Sequence, residues 1–332
     1  MLGSLNRRSV QAVIIGSVII LALLPLRLGN YALHILIVSF YYVTLVASWN
    51  LLAGYTGQFS LAHHAFAALG GYTSGLLIYH FDVPMYVGII AAPIVTLALG
   101  LFLGILVLRM RAIYLAIATW AFAETLRILI SANYTLTRGD AGLSVPPLFG
   151  TLEPTPYYYL FLGLMLLLLF LMYLVVNMPI GSFMRAIKDD ELAASTMGIN
   201  TVTWKLFVFS FTSSIAGTIG VFYAHYIALL SPVTMRFQEM GKIIIMAIIG
   251  GLGRFIGPII GAPLVQILFE YARDYGEWRI VVFALVVIIL MRVDREGIIS
   301  LSQKIYQAVR SRLQRPGPEP SEEPSQAGTP KR

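Results

Sequence analysis

Apolar runs separated by short polar interruptions make up most of the chain. They fall at about 10–26, 31–53, 56–79, 84–108, 112–133, 156–177, 204–229 and 278–292, with a glycine-broken stretch at 240–272. Most approach the roughly 20 apolar residues that carry a helix across a bilayer. The pattern predicts an all-α, polytopic transmembrane helical bundle. The run beginning at Val10 follows Arg7 and Arg8 in the manner of a signal peptide, but Pro25, Leu26 and Arg27 offer no small-residue cleavage site. It is read as a retained first helix.

The broken stretch decides the number of crossings. One continuous helix from Met240 to Arg273 makes nine spans, whereas a turn at Gly250-Gly251-Leu252-Gly253-Arg254 makes ten. With ten and the N-terminus inside, 16 of the 23 Lys and Arg fall on the cytoplasmic side; nine would expel the cations from Arg292 onward. Cationic loops stay in the cytoplasm, so about ten spans are expected, broken or re-entrant segments included, with both termini cytoplasmic. The chain then divides into 1–30, the N-terminus and first helix; 31–295, the transmembrane domain, with a cytoplasmic loop near 179–203; 296–314; and 315–332. In 296–314, Ile298, Leu301, Ile305, Val309 and Leu313 form a stripe beside Lys304, Arg310 and Arg312, which suits an amphipathic helix on anionic membrane lipid. The tail from 315 is rich in Pro, Glu, Ser and Gly and is expected to be disordered.

Composition narrows the chemistry. With 58% hydrophobic and 12% charged residues, a single core in water is excluded. The absence of cysteine excludes disulfides, thiol catalysis, Cys-bound zinc and iron–sulfur clusters. The net charge of +7 follows from cationic cytoplasmic loops, so no nucleic-acid partner is expected. The five histidines show no HExxH spacing, so no metal site is expected. No GxxxxGK[ST] is present, so the chain is not an ATPase of its own and any ATP drive must come from a partner.

Glycines cluster at Gly54, Gly57, Gly70, Gly71 and Gly75, and again at Gly250, Gly251, Gly253, Gly257 and Gly261. Such clusters serve either close helix packing or helix breaks, and breaks at matching places in two halves point to a transport pathway. Breaks are expected at Gly54, Gly57, Gly250, Gly251, Gly253 and Gly257. Among the polar residues at 54–64, Gln58, Ser60 and His63 could hydrogen-bond a small solute or a neighbouring helix. Glu124 falls mid-span, with Arg127 three residues on and Trp120 four back on the same face. An ion pair there is read as a structural clamp or a pathway element, with a proton relay as a third option. The loop at 179–200 reads as a docking helix: Phe183, Ala186, Ile187, Ala194 and Met197 can form an apolar face, Asp190 and Glu191 add charge, and Gly198 supplies a stop favouring φ > 0.

That loop resembles the EAA coupling motif of ABC-importer permeases. Ala193, Ala194 and Gly198 hold the pattern, Glu191 is the acidic residue, Leu192 stands beside the alanine pair, and Arg185 and Asp190 lie in the same loop. Further motifs occur in order: Gly54-Tyr55-Thr56-Gly57-Gln58-Phe59-Ser60-Leu61-Ala62-His63, Arg111-Ala112-Ile113-Tyr114-Leu115-Ala116-Ile117-Ala118-Thr119, Ala121-Phe122-Ala123-Glu124, Gly142-Leu143-Ser144-Val145-Pro146, and Gly250-Gly251-Leu252-Gly253 with Gly257-Pro258. Together, over about 31–295, they resemble the LivM-type permeases of branched-chain amino acid ABC importers, with Ala62 where that family often has glycine and His64 where a small residue is commoner. The resemblance implies a substrate pathway containing Gln58, Ser60, His63, Thr119 and Glu124. It also implies a second, LivH-like permease, two ATP-binding subunits that carry ATP and Mg, and an extracytoplasmic amino-acid-binding protein. No cofactor is expected on this chain. The setting would be the cytoplasmic (inner) membrane of a bacterium or archaeon, and the activity uptake of leucine, isoleucine or valine by alternating access. Competing readings are a related permease for urea or short amides, an ion-coupled secondary transporter using Glu124, and an intramembrane enzyme using His63 and His64.

Overall fold

A computed structural model of the chain describes residues 7–110 and 112–273, with isolated positions at 276, 278, 281, 285 and 292. Apart from those positions, the crossing expected at 278–292, the helix expected at 296–314 and the tail at 315–332 lie outside the described residues.

Apolar runs become helices almost throughout, because a bilayer leaves the backbone no other way to satisfy its own N–H and C=O groups. Helix α1 (Arg7–Leu23) ends in a 3-10 turn at Leu24–Leu26, where Pro25 cannot continue an α-helix. Then follow α2 (Asn30–Asn50), α3 (His63–Phe81), α4 (Met85–Val107), α5 (Ala112–Ala132) and the one-turn α6 (Tyr134–Thr137). The loop strand β1 (Leu143–Ser144) leads to α7 (Pro154–Asn177), α8 (Pro179–Asp189), α9 (Glu191–Thr196) and α10 (Thr201–Ile227). Strand β2 (Leu229–Leu230), a 3-10 turn at Pro232–Met235, α11 (Phe237–Gly250) and α12 (Gly257–Tyr271) complete the described chain. Among the described residues, five helices are long and apolar enough to cross a membrane: Asn30–Tyr55, Met85–Val107, Ile113–Ala132, Pro154–Asn177 and Thr201–Ile227. The protein is an all-α membrane bundle.

At the centre stands α2, whose apolar window is 83% buried, whereas that of α5 is only 22% buried. Around α2 pack α7, α10, α11 and α12, and α10 in turn packs on α3 and α4. Small residues permit those last contacts. A Cβ at Gly70 would collide with the Gly217 carbonyl, and one at Gly220 with that of Ala67. Gly70, Gly71 and Gly75 are therefore packing glycines inside an unbroken α3, unlike Gly54 and Gly57. Outward-facing Ile15, Ile90, Ile94, Phe102, Leu167 and Phe170 are exposed, as a lipid-facing surface requires.

Two expectations are corrected here. The span expected at 56–79 becomes helical only at His63; residues 57–62 are irregular chain because Gly57 turns at φ +71 and the backbone beyond it bonds to side chains. The segment before α11, a polar interruption that reads as loop between the apolar runs 204–229 and 240–272, packs into the bundle. Ala228 turns in the left-handed region at φ +58, and Leu229–Leu230 pairs antiparallel with Leu143–Ser144. Leu230 then packs at Gly71 and Gly75 of α3, while the Met235 carbonyl reaches His64 at the start of that helix. Residues 230–235 thus descend along α3, and α11 starts inside the body.

Candidate functional site

The polar string after α2 is held by hydrogen bonds from three directions. Past Asn50 the helix widens into a π turn, Leu51–Tyr55. The Trp49 indole N–H donates to the Ser60 carbonyl (2.8 Å), and the Leu61 amide donates to Thr119 Oγ1 (2.9 Å). Gln58 Nε2 donates to Thr56 Oγ1 (2.9 Å) and to the Lys205 carbonyl (3.3 Å), while its Oε1 is buried with no partner among the described residues. Ser60 is fully buried and its Oγ accepts the Ala62 amide. His63 is fully buried with both ring nitrogens unpartnered among the described residues, an arrangement uncommon in folded proteins. The structure therefore gathers Gln58, Ser60, His63 and Thr119 around one loop.

The second glycine break meets this loop. Gly251 and Gly253 adopt φ +104 and +75, which ends α11 and reverses the chain into α12. Gly250 and Gly257 pack so closely that a Cβ at Gly250 would strike the Gly257 carbonyl. Asn50, the last residue of α2, joins the two breaks: its Oδ1 accepts the Gly253 amide (2.8 Å) and its Nδ2 donates to the Arg254 carbonyl (3.0 Å). A Cβ on Gly54 would lie 2.6 Å from the Gly253 nitrogen. Glycines expected to break two separate helices thus touch one another. Asn50 was not singled out in the sequence, where its sole signal is an amide inside an apolar run.

The loop at 179–200 folds as two helices, α8 and α9, which meet at Asp190 in extended backbone. Asp190 caps α9, its Oδ1 accepting the Leu192 (2.9 Å) and Ala193 (3.0 Å) amides. Glu191 pairs with Lys205 of α10, and Phe183 packs against Trp204. Gly198 sits at φ +85. Ile187 and Ala194 are buried together with Met184, but Met197, expected on the apolar face, is 83% exposed, since it follows the last turn of α9 as the residue that ends the helix. Leu192, Ala193 and Arg185 are exposed as well. Lys188, also missed in the sequence, donates from Nζ to the Gly54 carbonyl (2.7 Å), tying α8 to both breaks.

Glu124 stands apart from that cluster. Its carboxylate receives the Arg127 guanidinium, with Nε 3.0 Å from Oε1 and 3.1 Å from Oε2. With Trp120, Arg236, Phe237 and Gln238 the pair lines an open groove that continues into an apolar patch of Phe59, Leu61, Ile113, Ala116 and Ile117. This face of α5 is exposed in the isolated chain although it lies mid-span.

A further chamber of about 200 Å³ lies between α2, α3, α10 and α11. Tyr41, Tyr42, His64, Tyr223, Glu239 and Lys242 contribute its polar lining. Glu239 accepts from Tyr42 (2.9 Å) and from Lys242 (2.7 Å). In the sequence Glu239 falls just before the 240–272 stretch and Lys242 at its start; their i, i+3 spacing at the head of an apolar run is the signal that could have paired them.

Comparison with known proteins fits this architecture. The family described as "Branched-chain amino acid transport system / permease component" matches residues 31–291. The high-affinity branched-chain amino acid transport system permease protein LivM of Salmonella typhimurium is 27% identical over 307 residues, covering 84% of this chain and 72% of that protein. The LivH permease of the same organism is 25% identical, over 75% of this chain and 88% of its own. The fructose import permease protein FrcC of Rhizobium meliloti is 24% identical, over 76% and 74% respectively. No solved structure matches. With a match spanning most of its length on a helical membrane bundle, the chain belongs to the branched-chain amino acid transport system permease component family.

Proposed function

We propose that the chain is one of two permease subunits of an ATP-driven importer of leucine, isoleucine and valine. The observation that carries the reading is the Lys188 bridge: a helix of the exposed loop pair at 179–196 is hydrogen-bonded to the point where the two broken helices meet. An ATP-binding subunit docked on α8 and α9, with Leu192 and Met197 as its apolar anchors, would pull on both breaks at once. ATP and Mg reside on two such partner subunits, and this chain performs no covalent chemistry.

The open face of α5 supplies the other half of the argument. Charged side chains mid-span cost roughly 2.5–3.5 kcal/mol each against lipid, so Glu124, Arg127 and the groove beside them belong against a protein or a wet path. A LivH-like second permease on this face would enclose the solute path between the two subunits. Gln58, Ser60, His63 and Thr119, buried behind Phe59 and Leu61 in this chain, would reach that path only when the broken helices rock apart. Ten crossings with both termini cytoplasmic put the α8–α9 loop inside and the 134–153 loop outside, toward a binding protein. That sidedness matches a multi-pass protein of a bacterial or archaeal inner membrane. Alternating access is then a rocking of the broken helices against the central α2. Glu124 is already satisfied by Arg127, so it is not the lone carboxylate that a proton-coupled transporter would use.

The test is to purify the chain from its native membrane in mild detergent, identify what accompanies it and assay ATPase activity. Co-purification of a second permease and two P-loop ATPases is expected. A chain that emerges alone and inert toward ATP would overturn the reading. Stimulation of the ATPase by a binding protein loaded with urea, and not with leucine, would reassign the solute to short amides.

A further inference from the structure

We propose that the chamber between α2, α3, α10 and α11 is a binding site, inside this one subunit, for a zwitterionic α-amino acid with an apolar side chain. The inference rests on the amino-acid import reading above but concerns a place distinct from the path between two permeases. Its volume of about 200 Å³ falls below the roughly 300–1,000 Å³ of sites for drug-sized ligands, so its occupant is small.

The lining specifies the charge. Glu239 and Lys242 present one carboxylate and one ammonium side by side, 2.7 Å apart, within a membrane-embedded bundle. Their side chains keep 29% and 27% exposure, and both line the chamber. A pair of this kind adds little to stability, since an apolar pair of similar size serves a bundle as well or better. A zwitterion can enter it without stranding either charge: its ammonium meets Glu239 and its carboxylate meets Lys242. A lone cation or anion would satisfy one partner and leave the other bare, which is the larger penalty.

Unused hydrogen-bonding groups surround the pair. Tyr42 already donates to Glu239, but the stacked Tyr41 and Tyr223 rings, 4.2 Å apart at 20°, carry hydroxyls with no hydrogen-bond partner among the described residues. His64 is 3% exposed; its Nε2 faces the Met235 carbonyl, and its Nδ1 is buried and likewise unpartnered. These groups can complete the coordination of an α-carboxylate and an α-ammonium. Leu45, Ala67, Ile227 and Ile243 form an apolar wall beside them. That wall suits an aliphatic side chain, and a polar one would be left unsatisfied there.

The experiment is equilibrium binding of tritiated leucine to the assembled, nucleotide-free complex in detergent, without binding protein. Saturable binding is expected, displaced by unlabelled leucine but not by equal concentrations of leucinamide, which lacks the carboxylate, or 4-methylpentanoate, which lacks the ammonium. Lys242→Met should weaken binding by about tenfold or more, the scale of a lost hydrogen bond to a charged group. Should Lys242→Met disturb assembly, Tyr41→Phe decides the matter, since it removes one unpaired hydroxyl and should weaken binding several-fold. Saturable binding untouched by either substitution would place the ligand elsewhere and overturn the proposal. Displacement by leucinamide as strong as by leucine would do so too. Absence of binding in a complex whose ATPase still responds to leucine-loaded binding protein would overturn this site alone. Absence of both responses would overturn the importer reading with it.

Discussion

Gly54→Ala is the sharpest test of whether the two helix breaks form one mechanical unit. A Cβ there would stand 2.6 Å from the Gly253 nitrogen and 2.9 Å from its Cα, and would collide with Asn50 Oδ1. The first two neighbours are backbone, so relief requires the breaks to separate. Separation sacrifices the Asn50 bonds to Gly253 (2.8 Å) and Arg254 (3.0 Å). Each such bond contributes about 0.5–1.5 kcal/mol, and overpacking a close contact costs roughly 1–3 kcal/mol, so with two bonds lost the substitution should cost about 2–6 kcal/mol in all. Gly163→Ala in α7 is the matched control. A Cβ at Gly163 meets nothing within 4 Å, and glycine is worse than alanine in a helix interior by roughly 0.5–1 kcal/mol, so that variant should hold or gain stability. The assay is the thermal midpoint of the detergent-purified complex followed by size-exclusion, alongside leucine uptake in proteoliposomes. A Gly54→Ala complex as stable and active as the parent, beside a Gly163→Ala control that behaves as expected, would refute the contact between the breaks.

Other outcomes follow from the same geometry. Lys188→Met removes the donor to the Gly54 carbonyl and should lower leucine imported per ATP hydrolysed while ATPase activity persists, with Lys188→Arg restoring much of it; an unchanged ratio would exclude Lys188 from coupling. Glu124→Gln strands Arg127, so it should reduce assembled complex in the membrane more than Glu124→Gln with Arg127→Met does. Equal yields would argue against the ion pair. Asp190→Ala removes the cap of α9 and should weaken ATPase-subunit retention on purification, the helix end losing about 1 kcal/mol. Gly198→Val, at φ +85 with open space around it, should impair coupling through backbone strain without affecting membrane insertion, whereas Gly198→Asn should be milder; equal effects would exclude the backbone explanation.

What could be read from the sequence was what depends on near neighbours. The uninterrupted runs became α4, α5, α7 and α10 within a few residues of their expected ends, and the turn at Gly250-Gly251 lies where the glycines put it. The Glu124–Arg127 pair was legible because three residues on a helix is already a contact distance. The start of α3 was not, since hydropathy alone cannot register that the 57–62 backbone is bonded to Trp49 and Thr119. The re-entrant 231–236 segment carries Pro232 and several polar residues and reads as surface loop; only its contacts with α3 draw it inward. The chamber joins Tyr41, Tyr223 and Glu239 from three helices, and no local pattern announces such a meeting. Lys188 was one cation among several in its loop until the Gly54 carbonyl appeared opposite it.

The measurement that bears most directly on the account is leucine uptake into proteoliposomes holding the complete complex, with binding protein on the outside. Uptake is expected to require ATP enclosed with the cytoplasmic face and to continue when a protonophore collapses any pH gradient. Uptake driven by an imposed proton gradient in the absence of ATP would contradict the account.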